Sequence, residues 1–411
     1  MALLRASVGG SPGSWSALAI VSLAVLVGSV RPARAHETDQ FALPPDVEFA
    51  DLNPWLSQWM AGVIDRAADR VNARIDDADR RGDAPLAAVL RRPDELVKGV
   101  TAELPRSIEL IDAVERGVRA QDGPGRAFAP APADTVYRGA FSALDARALS
   151  HAFLSSTIVV DGTYVGTDKL GHFTDVGIAY YWAYVKARRG GGTEGEAVAA
   201  AVRVGTSGAY SEAGLLGLAA TGQYSNADLA ANYAGLLFYR NLTEPVALGG
   251  RTAPSPPLVA LDDCGRWRLT DRALGGPFLG DFVTDHWDEA LNPGLFEPGM
   301  RPALRRNLRK WSANVLLRRR DPATGLVRSA DAFAAQHRAL TTYFGTDYGH
   351  RGSASELVTI ANTCFPPPPS STPDGNGNVV AAAPPGRRQI ASGERRASDD
   401  PESRQFIAVE R

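Results

Sequence analysis

The chain has 411 residues, with 44 lysines and arginines against 46 aspartates and glutamates and a formal net charge of −2. That balance argues against bulk nucleic-acid binding, which favours a strongly basic surface. Beyond residue 35 no apolar run approaches the roughly 20 residues that cross a bilayer, so no transmembrane span is expected there.

Arg5, the apolar run from Ala17 to Val27 and the small-residue pattern Ala33-Arg34-Ala35 read as a secretory signal peptide over 1–35. Cleavage would leave His36 as the mature N-terminus. The next segment, 36–50, is irregular around Pro44-Pro45. Leu56, Met60, Val63, Ile64, Ala67, Val71 and Ile75 recur at helical spacing and predict a helix over 52–82, with Asp51 or Asn53 as cap and Pro54 in its first turn. A second helical stretch over 85–119 should break near Pro93 and Pro105. Residues 121–134 read as a loop and 139–155 as a helix.

Thr157–Val165 is β-branched around Asp161-Gly162 and predicts a small hairpin. Helices then follow over 168–188, 194–204 and 226–239, the last capped by Ser225. A glycine-interrupted segment spans 211–218, and the Gly- and Pro-rich stretch 250–300 reads as extended structure and turns. A basic amphipathic helix is expected over 301–320 and a last helix over 330–343. From Pro366 the composition cannot bury enough apolar surface to order the chain, so 366–411 reads as a disordered tail. The expected fold is mainly α: an irregular multi-helix bundle over 36–365 with one small hairpin.

The two cysteines, Cys264 and Cys364, are expected to form one disulfide in an exported chain. The basic helix 301–320 is either a solvated cationic face or a contact for an anionic envelope component.

The chemistry concentrates between Asp168 and Gly235. Asp168, His172 and Asp175 stand four and three residues apart; Ser225, Asp228, Asn232 and Gly235 stand three, four and three apart. Such spacings place side chains on one helix face. Ionisable groups on a face that should be buried are expensive unless paired. Asp168, His172, Glu212 and Asp228 can serve as a general acid/base set. His172, Glu212 and Asp228 can equally hold one divalent metal ion through mixed nitrogen and oxygen ligands. Lys169 would balance the acids, and Asp175, Ser225, Asn232 and Gly235 would support the site. The same residues can also form a structural network that only fixes helix register.

The order Asp168-Lys169-x-x-His172-Phe173, then Glu212, then Ser225-x-x-Asp228-Leu229-x-x-Asn232-x-x-Gly235 resembles the VanZ-like proteins and a related group of small exported envelope proteins. The likeness covers about 168–238. It implies a bacterial envelope protein, in the periplasm or the outer envelope, whose helices meet around these polar groups. VanZ-like proteins are integral to the membrane; the short helices here are not expected to be. A metal-assisted hydrolase on an envelope substrate is the leading expectation, and a non-catalytic scaffold is the alternative.

Two other places qualify. Asp281, Asp285, Asp288 and Glu289 could share a helical face beside His286 and add a ligand to the main site. His36, as an N-terminal residue, could chelate copper through its amino and imidazole nitrogens.

Overall fold

The structure, a computed structural model, describes residues 37–365 apart from 106, 121–126, 142–144, 150, 152–153 and 250. The signal segment 1–35, His36 and the tail 366–411 lie outside the described residues.

The fold is mainly α. Helix α1 (Asn53–Arg80) buries Leu56, Met60, Val63, Ile64, Ala67, Val71 and Ile75, the stripe that the spacing predicts. Its start is set by Pro54 in the first turn and by Asp51, whose carboxylate accepts the Asn53 amide at 2.8 Å. Asn53 is not a cap. Its side-chain oxygen accepts from Ser57 Oγ and from the Gly280 amide, which anchors the 278–280 loop to α1.

The second helical stretch is three helices: α2 (Ala84–Leu90), α3 (Pro93–Glu103) and α4 (Ser107–Ala120). The breaks fall at the prolines, which lack the amide a continuous helix needs. Between 139 and 155 the described residues hold only a 3-10 turn, Ala146–Leu149, in place of the expected helix. Asp145 accounts for this: its carboxylate takes the Arg147 amide at 3.0 Å and the guanidinium at 2.7 Å, a local alternative to helical bonding.

The hairpin pairs β1 (Thr157–Val160) with β2 (Thr163–Gly166), Val160 opposite Thr163. Asp161 and Gly162 have φ of 51° and 75°, as a two-residue type I′ turn requires. The chain then enters α5 (Thr167–Gly171), a π-helical turn (His172–Val176) and α6 (Gly177–Arg189). Helix α7 (Glu194–Thr206) opens on a capping box of Thr193 and Glu196. A loop leads to the short α8 (Leu218–Thr221) and β3 (Gln223–Tyr224).

Helix α9 (Asn226–Asn241) is the axis of the main core; every residue from Asn226 to Tyr239 is buried. It starts as expected, with Ser225 Oγ accepting the Asp228 amide at 3.1 Å. Where α9 crosses the π turn and α6, Gly235 meets Gly177, and a Cβ on either would fall inside 3 Å of the other's backbone.

Strands β4 (Val259–Leu261) and β5 (Trp267–Leu269) form a second hairpin against α1, followed by α10 (Asp271–Leu274). Strand β6 (Leu295–Phe296) pairs with β3. A second apolar cluster gathers Leu304 and Leu308 of α11 (Arg301–Arg318), Phe333 of α12 (Ala330–Leu340) and Ile360 of α13 (Ile360–Thr363). No described helix is long and apolar enough to cross a membrane.

The expected disulfide is absent: Cys264 and Cys364 are both free thiols. Cys264 is exposed in the β4–β5 turn, where Asp262 accepts its amide at 2.9 Å. Cys364 follows α13 and packs on the second apolar cluster, whereas the β4–β5 hairpin packs on the first. Native alkylation should therefore modify two thiols. Cys264 should react quickly and Cys364 slowly, because burial pushes the Cys364 thiol up to about 12 and the thiolate is the nucleophile. Intact mass after alkylation without reductant reads this, and an unmodified, bridged protein would contradict it.

Candidate functional site

Lys169 is the centre of the polar cluster and is fully buried. Its ammonium lies 2.7 Å from Asp168 Oδ2, 2.6 Å from Asp228 Oδ1 and 2.6 Å from Glu289 Oε1. The contacts with Asp168 and Glu289 are hydrogen bonds, and the contact with Asp228 Oδ1 is an ion pair. Each acid is held from a different element. Thr38 Oγ1 donates to Asp168 Oδ1 at 2.6 Å, the Ser225 cap fixes the start of α9 and so Asp228, and the Gln40 side chain accepts the Glu289 amide. Gly166 keeps room for the first pair, since a Cβ there would lie 2.2 Å from both Asp168 Oδ1 and Thr38 Oγ1. Asp168, Asp228 and Glu289 offer one oxygen each within 4.8 Å of one another, but the Lys169 ammonium occupies the space a cation would take.

The other side of Asp228 is different. Its Oδ2 lies 3.2 Å from His172 Nε2, and His172 Nδ1 lies 3.1 Å from Asn232 Oδ1. Glu212 comes from the loop between α7 and α8 rather than from a helix. Its amide donates to Gly205 O at 2.9 Å, and its Oε2 accepts the Ser225 amide at 3.1 Å. Gly217 leaves it space, because a Cβ there would fall 2.6 Å from Glu212 Oε2. Glu212 Oε1 is buried with no hydrogen-bond partner among the described residues. His172, Glu212 and Asp228 thus offer ligand atoms that all lie within 4.8 Å of one another. The His172 side chain is 16% exposed while that of Asp228 is 5% exposed, so the cluster reaches solvent on its histidine side.

Burial, followed by the Asp228 charge, pushes Glu212 well above the ordinary carboxyl range. Burial also opposes Asp228, but His172 and Lys169 outweigh it and hold Asp228 below its usual value. Burial pushes Glu289 up to about 8 against the pull of Lys169. Desolvation works against the Lys169 ammonium, yet Asp168, Asp228 and Glu289 keep its pKa well above normal. The result is two carboxyls in contact with one residue's surroundings but pushed apart in acidity: Asp228 favours the carboxylate and Glu212 the acid. Such a pair can relay a proton, and the acid can release its proton to solvent when its carboxylate binds a cation.

Asp168, Lys169, His172, Glu212, Ser225, Asp228 and Asn232 therefore meet in one cluster. Asp175 does not join them. The π turn inserts an extra residue's worth of rotation after His172, and Asp175 lies instead in a surface recess with Lys98, Thr101 and Trp182. Gly235 acts through the Gly177 crossing.

The acidic run 281–289 is not one helix. Two 3-10 turns, Leu279–Phe282 and Asp285–Trp287, send its acids apart. Asp281 pairs with Arg251 and Arg272, Asp285 accepts from Gln336, and Asp288 pairs with buried Arg319 at 2.9 Å. Glu289 alone reaches the main cluster. Glu37 also lies there, pushed well above the ordinary carboxyl range by burial and then by Glu289 and Asp228. Glu289 belongs to the acidic run expected to contribute to this site, and Lys169 is the group it meets. Nothing in the irregular 36–50 segment marked Glu37 or Thr38.

The basic helix spends much of its charge internally. Arg301 donates to Phe296 O, Arg305 to Ser355 O and Arg318 to the carbonyls of Pro44 and Val47, while Arg319 is buried on Asp288. Arg306, Arg309, Lys310 and Arg320 remain exposed.

No protein-family model, no curated protein and no solved structure matches this chain.

Proposed function

We propose that this chain is an exported bacterial envelope protein in which His172, Glu212 and Asp228 hold one divalent cation and use it to activate water against an envelope substrate. One observation carries the cation: Glu212 Oε1 is buried without a donor among the described residues, beside a carboxylate oxygen and an imidazole nitrogen. If Asn232 Oδ1 takes the proton of His172 Nδ1, Nε2 presents its lone pair to Asp228 Oδ2, and two acceptors 3.2 Å apart need a proton or a cation between them. A ligand imidazole oriented through its other nitrogen is the usual arrangement at metal centres. Three protein ligands leave a position for water, whose pKa a bound zinc lowers to about 7. Lys169 holds the far oxygen of Asp228, so the ligand is already fixed before the cation arrives. The signal-like segment and the likeness to VanZ-like blocks support the envelope location.

The closed Lys169 cage favours a second reading, a scaffold in which the cluster only locks the helices. Metal analysis of the purified protein separates the two. The metal reading expects zinc-class metal in the purified protein, reduced by about one ion per chain in His172→Ala, and hydrolysis of ester or amide reporters that chelator abolishes and added metal restores. A metal-free protein that stays folded in chelator, with His172→Ala and Glu212→Ala lowering only the melting temperature, would establish the scaffold.

A further inference from the structure

Three histidines meet away from this centre, beneath the loop that follows α12. His286 is fully engaged: Nδ1 lies 3.0 Å from Thr284 Oγ1 and Nε2 lies 2.9 Å from Thr342 O. His337 and His350 are not. Their ring centres are 5.7 Å apart with planes inclined at 52°. His337, on α12, is buried and bonds the Leu291 backbone, yet its Nδ1 has no partner among the described residues. Nε2 is then the nitrogen that donates to Leu291, and Nδ1 carries the lone pair. His350 Nε2 is likewise buried and without a partner among the described residues. Burial holds both imidazoles below their ordinary pKa; His350 falls to about 4, helped by His337 and His286. Each ring thus has one buried nitrogen without a partner among the described residues.

His350 and Asp347 also line an open groove of about 750 Å³ between α7 and the 345–351 loop. An ion could enter from there. Imidazole nitrogens at about 2.1 Å from a shared metal put the ring centres roughly 5 to 6.5 Å apart, which brackets the observed separation.

We propose that His337 Nδ1 and His350 Nε2 bind a borderline transition-metal ion, with zinc and copper the fitting class, and that water from the groove completes its ligands. Neutral imidazoles select such ions over magnesium or calcium, which take oxygen. The second nitrogen of His337, held by a backbone carbonyl, supplies the orientation that metal-bound histidines commonly have. This site shares no ligand with the His172 centre, so each stands or falls separately.

The test uses the chelator-stripped full chain carrying His172→Ala, which removes the first centre. Titration with Zn²⁺ and with Cu²⁺, with Mg²⁺ as control, should show one site. Adding His337→Asn and His350→Gln should weaken it at least tenfold while the metal-free melting temperature stays close to that of His172→Ala. The imidazole proton resonances of His337 and His350 should shift on metal addition in the unsubstituted chain, which covers the case that the multiple variant fails to fold. Absence of binding by His172→Ala, or unchanged affinity in the multiple variant, would overturn the proposal in favour of water bridging the rings.

Discussion

Lys169→Met should destabilise the protein by about 3–5 kcal/mol at neutral pH, enough to unfold much of it. Methionine replaces most of the buried stem, so the loss isolates the charge. Asp168, Asp228 and Glu289 each lie within 2.7 Å of the ammonium in a site that solvent does not reach. Removing one partner of a buried ionic network leaves the others uncompensated, which costs far more than an exposed pair is worth. The pH dependence gives the sign. The Lys169 pKa is raised, so its contribution is complete below the unfolded value near 10.5 and is lost only at higher pH. In the variant the acids have no ammonium and favour protonation, so the gap to the wild type should narrow towards acid pH. Urea denaturation at pH 5 and pH 8 measures both. A loss under 1 kcal/mol at pH 8 would show that the cage is not closed as described.

Gly235→Ala is the second large effect, expected at about 3 kcal/mol of destabilisation. In an open helix this substitution would stabilise by about 1 kcal/mol, because glycine is the poorer helix former. Here the added Cβ would stand 2.0 Å from Phe173 O and 2.8 Å from Gly177 Cα. Backbone cannot yield as a flexible side chain does, so steric overlap outweighs propensity. The strain falls on the π turn beginning at His172, so the variant should also weaken any ligand at that histidine. Thermal melts and metal titration of the same sample read the two consequences. A stabilised variant would mean that the helices part freely at this crossing.

The helices were legible because their apolar spacing is regular, as the α1 stripe shows. The turn chemistry was equally local, as at Asp161-Gly162 and Ser225. Failures came where a side chain competes with its own backbone or where a contact is remote in sequence. Asp145 diverts a stretch of helical composition into a 3-10 turn. The π turn, which no spacing rule marks, carries Asp175 off the face it shares on an ideal helix. Asp288 and Glu289 are adjacent, yet one answers Arg319 and the other Lys169, 31 and 120 residues away. For the candidate site, the stripe argument found Asp168, His172 and Asp228 but assigned Glu212 a share in balancing Lys169. The third carboxylate on that ammonium is Glu289, and Glu212 has no cation of its own among the described residues.

That surplus acid is where the account is most exposed. Chelator-stripped protein should gain melting temperature on addition of Zn²⁺, and gain more at pH 8 than at pH 6, because Glu212 must release its proton to bind. In Glu212→Gln the metal-free protein should melt no lower than the wild type, while the zinc-induced shift should fall at least severalfold on the same concentration scale. A zinc shift that is equal in the wild type and Glu212→Gln, or that is absent in the wild type at both pH values, would contradict a cation centre at His172, Glu212 and Asp228.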